Sequence, residues 1–128
     1  MILLLDTSTA VCKMTLIDGN ERFDDEWHAD RELAEKLLGY LEQKLAERHA
    51  TWRDLTGLAV MKGPGSFTGL RIGVAVLNTL ADTLAIPLVG TTGDAWQETA
   101  LNRLKNGEND QIVLPEYGRA ANITTPRK

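Results

Sequence analysis

The chain has 128 residues, enough for one domain with a real core, and its 43% apolar and 25% charged fractions are those of an ordinary globular protein. A mean hydropathy of −0.20 excludes a membrane-embedded chain. Fourteen Lys and Arg against 18 Asp and Glu give a formal charge of −4. That balance argues against a domain that grips RNA or DNA unaided, because such affinity comes largely from neutralising phosphates. Cys12 is the only cysteine, so neither a disulfide framework nor a cysteine zinc site can form, and a reducing compartment, the cytoplasm, is the simplest expectation.

Residues 2–5 are a continuous apolar run closed by Asp6-Thr7-Ser8-Thr9, the pattern of a strand buried on both faces that ends in a polar loop. The run is too short for a signal peptide and no basic region precedes it. Residues 11–17 alternate, and Asp18-Gly19-Asn20 is a hairpin turn. The returning strand, 21–27, carries Glu21, Arg22, Asp24, Asp25 and Glu26, which predicts a charge-protected edge. From Asp30 as N-cap to about Arg48, the residues Leu33, Leu37, Tyr40, Leu41 and Leu45 recur at three- and four-residue spacing, predicting an amphipathic helix. Thr51 and Asp54 have capping-box spacing for a short turn that Gly57 would end.

Residues 58–61 predict a buried strand that runs into a glycine-rich loop and then a helix to about Ala85. Between Leu70 and Ile86 only Arg71 and Asp82 are charged, so this helix needs cover on more than one side. Residues 87–90 predict a strand, 92–106 a helix stopped by Gly107, and 112–114 a candidate last strand. The lobe is expected to span 1–115, with 116–128 as a tail whose end, 124–128, frays. Three antiparallel strands followed by alternating helices and strands match a single α/β lobe of the RNase H-like type, with a mixed sheet, the building block of the actin-like ATPase superfamily.

The segment Gly63-Pro64-Gly65-Ser66-Phe67-Thr68-Gly69 sits between a strand and a helix N-terminus. Two readings fit it: free amides and the helix dipole cradling an anion, or a tight turn in which Ser66 or Thr68 caps the helix while Gly69 and Gly73 permit close packing. It lacks the Gly-Lys-Ser/Thr of a P-loop and the spacing of GxGxxG. Asp6, Thr7 and Ser8 stand where actin-like ATPases keep a first phosphate loop and RNase H-like nucleases a metal-binding aspartate. A nuclease needs further carboxylates nearby, and the central strand ends in Met61-Lys62-Gly63. His28 and His49 belong to no metal-ligand pair, no Ser/His/Asp set can be assembled, and neither metal nor cofactor is expected. Trp27, Trp52 and Trp96 read as packing or interface residues. Asn122-Ile123-Thr124 fits a glycosylation sequon without consequence in a chain lacking a secretory signal.

The run Val60-Met-Lys-Gly-Pro-Gly-Ser-Phe-Thr-Gly-Leu-Arg-Ile-Gly-Val-Ala75, with Leu3-Leu-Leu-Asp-Thr-Ser8 before it, resembles the bacterial TsaB family, also called YeaZ. The resemblance covers roughly residues 1–95, with a C-terminal echo in Pro115-Glu-Tyr-Gly-Arg119. It implies a noncatalytic subunit that binds and activates or stabilises a TsaD-type subunit. With a TsaE-type ATPase, that assembly makes N6-threonylcarbamoyladenosine next to the anticodon of tRNAs reading codons that begin with A. It also implies helical contacts to TsaD, or to a second copy in a homodimer, for which Leu37, Tyr40, Leu41, Val74 and Leu77 are the candidate residues by periodicity. Gly63–Gly69 and Arg71 are the signature. Family members carry a second lobe that this sequence is expected to lack for the most part, so no nucleotide site between lobes is expected and tRNA is met only through the complex. A homodimeric interaction module without a tRNA role, or a stand-alone peptidase-like hydrolase using Asp6, Ser66 and Thr68, are the competing readings.

Overall fold

The computed structural model describes residues 1–117. The N-terminal apolar run becomes β1 (Ile2–Asp6), the central strand of a five-stranded mixed sheet. It is flanked by β2 (Val11–Asp18) and β4 (Gly57–Gly63), with β3 (Glu21–His28) and β5 (Leu88–Thr92) outermost. β2 pairs antiparallel with β1 and β3, whereas β4 runs parallel to β1 and β5. Gly19, at φ +62°, makes the β2–β3 turn without the strain a side chain would meet.

The continuous apolar character of β1 follows from its position. Leu3 and Leu5 face one layer, where α1 (Leu33–Glu47) and α2 (Phe67–Leu84) pack, and Leu4 faces the other beneath α3 (Trp96–Lys105). All three leucines are fully buried. Charge protects β3 as its composition predicts: Arg22, Asp24 and Glu26 face water, while Phe23, Asp25 and Trp27 turn inward. Trp27 stacks on Tyr40 with ring centroids 5.0 Å apart, and the Tyr40 hydroxyl donates to Asp25 at 2.5 Å, which fixes α1 against the edge. Beneath them lies Cys12, whose thiol burial pushes up to about 12, so it packs as an inert apolar group.

The structure corrects several boundaries. Asp30 is not a cap; it sits at φ +47° in a 3-10 turn (Asp30–Glu32), because its amide and that of Ala29 both donate to the Ala10 carbonyl. Gly57 opens β4 rather than ending the preceding turn, and Leu104 packs 3.5 Å from where its Cβ would be. The third helix begins at Trp96, because β5 runs on to Thr92 and Gly93 turns the chain at φ +89°. The apolar surplus of α2 is largely absorbed at home: Leu70, Val74, Leu77, Leu80 and Ala81 are buried against the sheet and α1, and its outer face carries Arg71, Ala75, Thr79 and Asp82.

Residues 112–114 form no strand. Val113 alone is buried, while Ile112 and Leu114 are about 70% exposed on either side of it. No ladder holds this segment; side chains do. The Asn78 side chain donates to the Val113 carbonyl and accepts from its amide, each at 2.9 Å. Upstream, Asn109 accepts from the Leu88 amide at 3.1 Å, and the Asp110 carboxylate accepts from the Gly90 amide at 2.9 Å and pairs with Arg103. The edge of β5 is thus closed by borrowed polar groups instead of a sixth strand. Residues 116 and 117, expected to belong to the tail, are packed on the lobe: the Glu116 amide donates to the Lys62 carbonyl at 2.7 Å.

Burial alone would raise the Asp110 carboxyl, but hydrogen bonds from Arg103 and the Gly90 amide hold it below its ordinary 3.8. A carboxyl lowered on folding contributes fully above that value, and the contribution is lost as pH falls through the folded pKa. Asp110→Asn should therefore lower stability at pH 7 and reduce the difference in urea midpoint between pH 7 and pH 3; an unchanged difference would show that the pair is not felt.

Candidate functional site

Thr7 leaves the end of β1 fully buried and meets the first turns of α2. Its hydroxyl donates to the Gly69 carbonyl at 2.7 Å. The helix comes this close because it carries glycine at both contact positions: a Cβ on Gly69 would strike the Thr7 carbonyl, and one on Gly73 would strike the Thr7 hydroxyl. Neighbouring bonds finish the junction. The Ser66 amide donates to the Ser8 carbonyl at 2.8 Å, and the Ser66 hydroxyl caps α2 by accepting from the Gly69 amide at 3.3 Å. Asp6 braces its own loop, accepting from the Ser8 amide at 2.8 Å and the Ser8 hydroxyl at 2.6 Å. Of the two readings of the glycine-rich loop, the capped, close-packed turn accounts for every one of these contacts.

The sequence motifs at 6–8 and 63–69 are therefore one structural unit, and the Ala10 carbonyl ties the β3–α1 junction to it. Beside this unit, between Thr9 and Ala10, the β3–α1 junction and the start of α2, lies a cleft of about 620 Å³, walled by His28, Asp30, Arg31, Ser66, Thr68 and Ile72. Its far wall was invisible to motif reading, since His28, Asp30 and Arg31 form no pattern and reach the cleft only through the Ala10 turn. Among the described residues no three His, Cys, Asp or Glu side chains gather as a metal site, and no helix is long and apolar enough to cross a membrane.

On the opposite flank of α2, Phe67 is half exposed and stacks on Tyr117 at 4.4 Å between centroids, with the Arg71 guanidinium 5.4 Å from the Phe67 ring. The C-terminal echo of the sequence is thereby brought onto the signature loop through Pro115, Glu116 and Tyr117. Its Gly118 and Arg119 lie outside the described residues, as do the sequon at Asn122 and the segment 124–128. The side chains nominated as partner contacts are placed otherwise than expected. Leu37, Leu41, Val74 and Leu77 are at most 2% exposed, and Tyr40 is turned onto Trp27. Periodicity finds the face of a helix that is buried, and in this chain the sheet buries it. The side chain left out on α1 is Leu38, 51% exposed and nearly opposite Tyr40 around the helix.

A mixed sheet in the order β3-β2-β1-β4-β5, with helices on both faces and a loop–helix junction at the C-terminal end of β1 and β4, defines a lobe of the RNase H-like, actin-like class. The family model described as "TsaD: tRNA N6-adenosine threonylcarbamoyltransferase" matches residues 27–100, more than half the chain, and the chain belongs to that family, on its TsaB (YeaZ) side. It is similar to the tRNA threonylcarbamoyladenosine biosynthesis protein TsaB of Escherichia coli K12, 29% identical over 133 residues that cover 94% of this chain and 56% of that protein. The protein of the same description from Buchnera aphidicola (Schizaphis graminum) is 31% identical over 128 residues, covering 93% and 61%. The solved YeaZ of Pseudomonas aeruginosa superposes with a TM-score of 0.68 at 29% identity, over 77% of this chain and 49% of that one. The chain thus spans less than two thirds of the length of each of these relatives.

Two substitutions test the junction. Ser66→Ala removes the cap and should cost about 1 kcal/mol. Gly73→Ala, which would stabilise an exposed helix, should instead cost about 1–3 kcal/mol by overpacking against Thr7, read from urea unfolding followed by circular dichroism. A stabilised Gly73→Ala would contradict the close contact.

Proposed function

We propose that this chain is a noncatalytic accessory subunit in tRNA threonylcarbamoyladenosine synthesis, which binds a TsaD-type subunit and activates or stabilises it. The observation that carries the reading is the family match over residues 27–100, which spans α1, the 63–69 loop and α2. The names of its TsaB relatives give the pathway. The noncatalytic part rests on the site: the Thr7 and Ser66 hydroxyls bond the α2 backbone, and the Ser8 hydroxyl bonds an Asp6 carboxylate that also accepts from the Ser8 amide, a local turn and not a Ser/His/Asp relay. Transfer of the threonylcarbamoyl group to the adenosine beside the anticodon, in tRNAs reading codons that begin with A, then belongs to the TsaD-type partner, with a TsaE-type ATPase and a soluble cytoplasmic setting. A net charge of −4 fits a subunit that leaves tRNA to its partners.

The contact surface under this reading is the outer side of α1 and α2, which pack beside each other. Leu38 stands out on α1, and Ala75 and Thr79 on α2 offer small side chains that let a partner helix approach. The chain mixed with the cognate TsaD-type protein should co-elute in size-exclusion chromatography. Leu38→Glu should weaken that complex at least tenfold while leaving the circular dichroism spectrum unchanged, because the position is already exposed. Separate elution, together with undiminished tRNA modification in cells lacking this chain, would overturn the proposal.

A further inference from the structure

Gly63 at the end of β4 and Gly90 in the middle of β5 let the C-terminal segment approach the sheet closely. A Cβ on Gly63 would collide with the Glu116 carbonyl, and one on Gly90 would lie 2.5 Å from a Val113 methyl. Gly63 also holds φ +138°, a conformation a side chain would strain. Residues 109–117 lie along these strands and are fastened at five places. Asn109 accepts from the Leu88 amide, Asp110 is held by Arg103 and the Gly90 amide, Val113 by both polar atoms of the Asn78 side chain, Glu116 by the Lys62 carbonyl, and Tyr117 by the Phe67 ring. The last two fastenings are on the signature loop itself or on the residue that enters it.

We infer that residues 109–117 act as a clasp that fixes the conformation of the 63–69 loop and the first turn of α2. Beyond the clasp, the β4–β5 pairing at Gly63 and the Ser66 cap within α2, the contacts of the loop among the described residues come from the side of β1, from Thr7 and Ser8. Its Gly63, Pro64 and Gly65 present no apolar side chain to the core, so local opening is governed by the few contacts at its two flanks. Thr7 and Ser8 secure one flank and the clasp secures the other. Asn78, two turns further along α2, acts as the buckle, because its amide replaces a missing strand partner for Val113. This inference stands apart from the proposed function, since it concerns contacts within one chain and its test uses no partner.

Hydrogen exchange of the whole chain tests it, with the Ser66, Gly69 and Leu70 amides as reporters because each has an identified acceptor within the junction. Asn78→Ala removes two bonds to Val113, and Tyr117→Ala removes the stack on Phe67 without touching the core. Each should speed exchange of those three amides about tenfold while the Leu3–Leu5 and Leu58–Val60 amides keep their protection. If the Val113 and Glu116 amides are released while the loop reporters stay protected, the clasp does not set the loop and the inference fails. Equal loss of protection in loop and sheet by Tyr117→Ala would also overturn it, because the segment would then be serving global stability.

Discussion

The close approach of Thr7 to Gly69 and Gly73 is the constraint on which the rest of this lobe depends. β1 delivers a buried hydroxyl to a point where α2 can reach it only if two successive contact positions lack side chains. That contact sets the height of α2 above the sheet, and the height in turn decides which of its residues are buried. It also brings the loop before α2 against Ser8, so the α2 wall of the cleft beside α1 is set by this glycine-mediated junction. The signature GPGSFTGLRIG thus carries packing information first: its glycines are required by backbone and hydroxyl neighbours, and Ser66 by the helix end.

The proposed noncatalytic role has a physical counterpart in how the loop's polar groups are used. Amides at the start of an 18-residue helix and a nearby carboxylate resemble the parts of a phosphate site. Here Asp6 accepts two bonds from Ser8, and Thr7 and Ser66 are bound into the α2 turn. The Thr7 and Ser66 hydroxyls, bonded to the α2 backbone in the folded state, are not free to attack a substrate.

Much of the architecture was legible because it follows from periodicity. The three antiparallel strands, the two parallel ones and all three helices come from alternation, apolar runs and three-four spacing. What periodicity could not separate is inside from interface: Leu37, Leu41, Val74 and Leu77 look the same whether a sheet or a partner covers them. The missing distinction is tertiary, since α1 and α2 share the face of the sheet formed by Leu3, Leu5, Leu58 and Val60. The segment 112–114 misleads for a related reason. Its Ile-Val-Leu composition favours a strand, but the edge of β5 is already satisfied by Asn109 and Asp110, and Asn78 takes both backbone groups of Val113, so only Val113 finds cover. The far wall of the cleft, at His28, Asp30 and Arg31, depends on two amides donating to Ala10, a backbone event with no signature in side-chain pattern.

The Thr7–Gly73 contact, and not helix propensity or loop chemistry, dictates glycine in the α2 interior. A double-mutant cycle on folding stability tests it most directly. In a Thr7→Ala background the obstructing hydroxyl and methyl are gone, and only the Thr7 Cβ position remains near the new side chain. Introducing alanine at 73 there should be neutral or stabilising by up to about 1 kcal/mol, the helix-propensity gain over glycine. The same change in the parent chain should destabilise, giving a coupling of at least about 1 kcal/mol. Additive effects, with alanine at 73 costing the same in both backgrounds, would contradict the account.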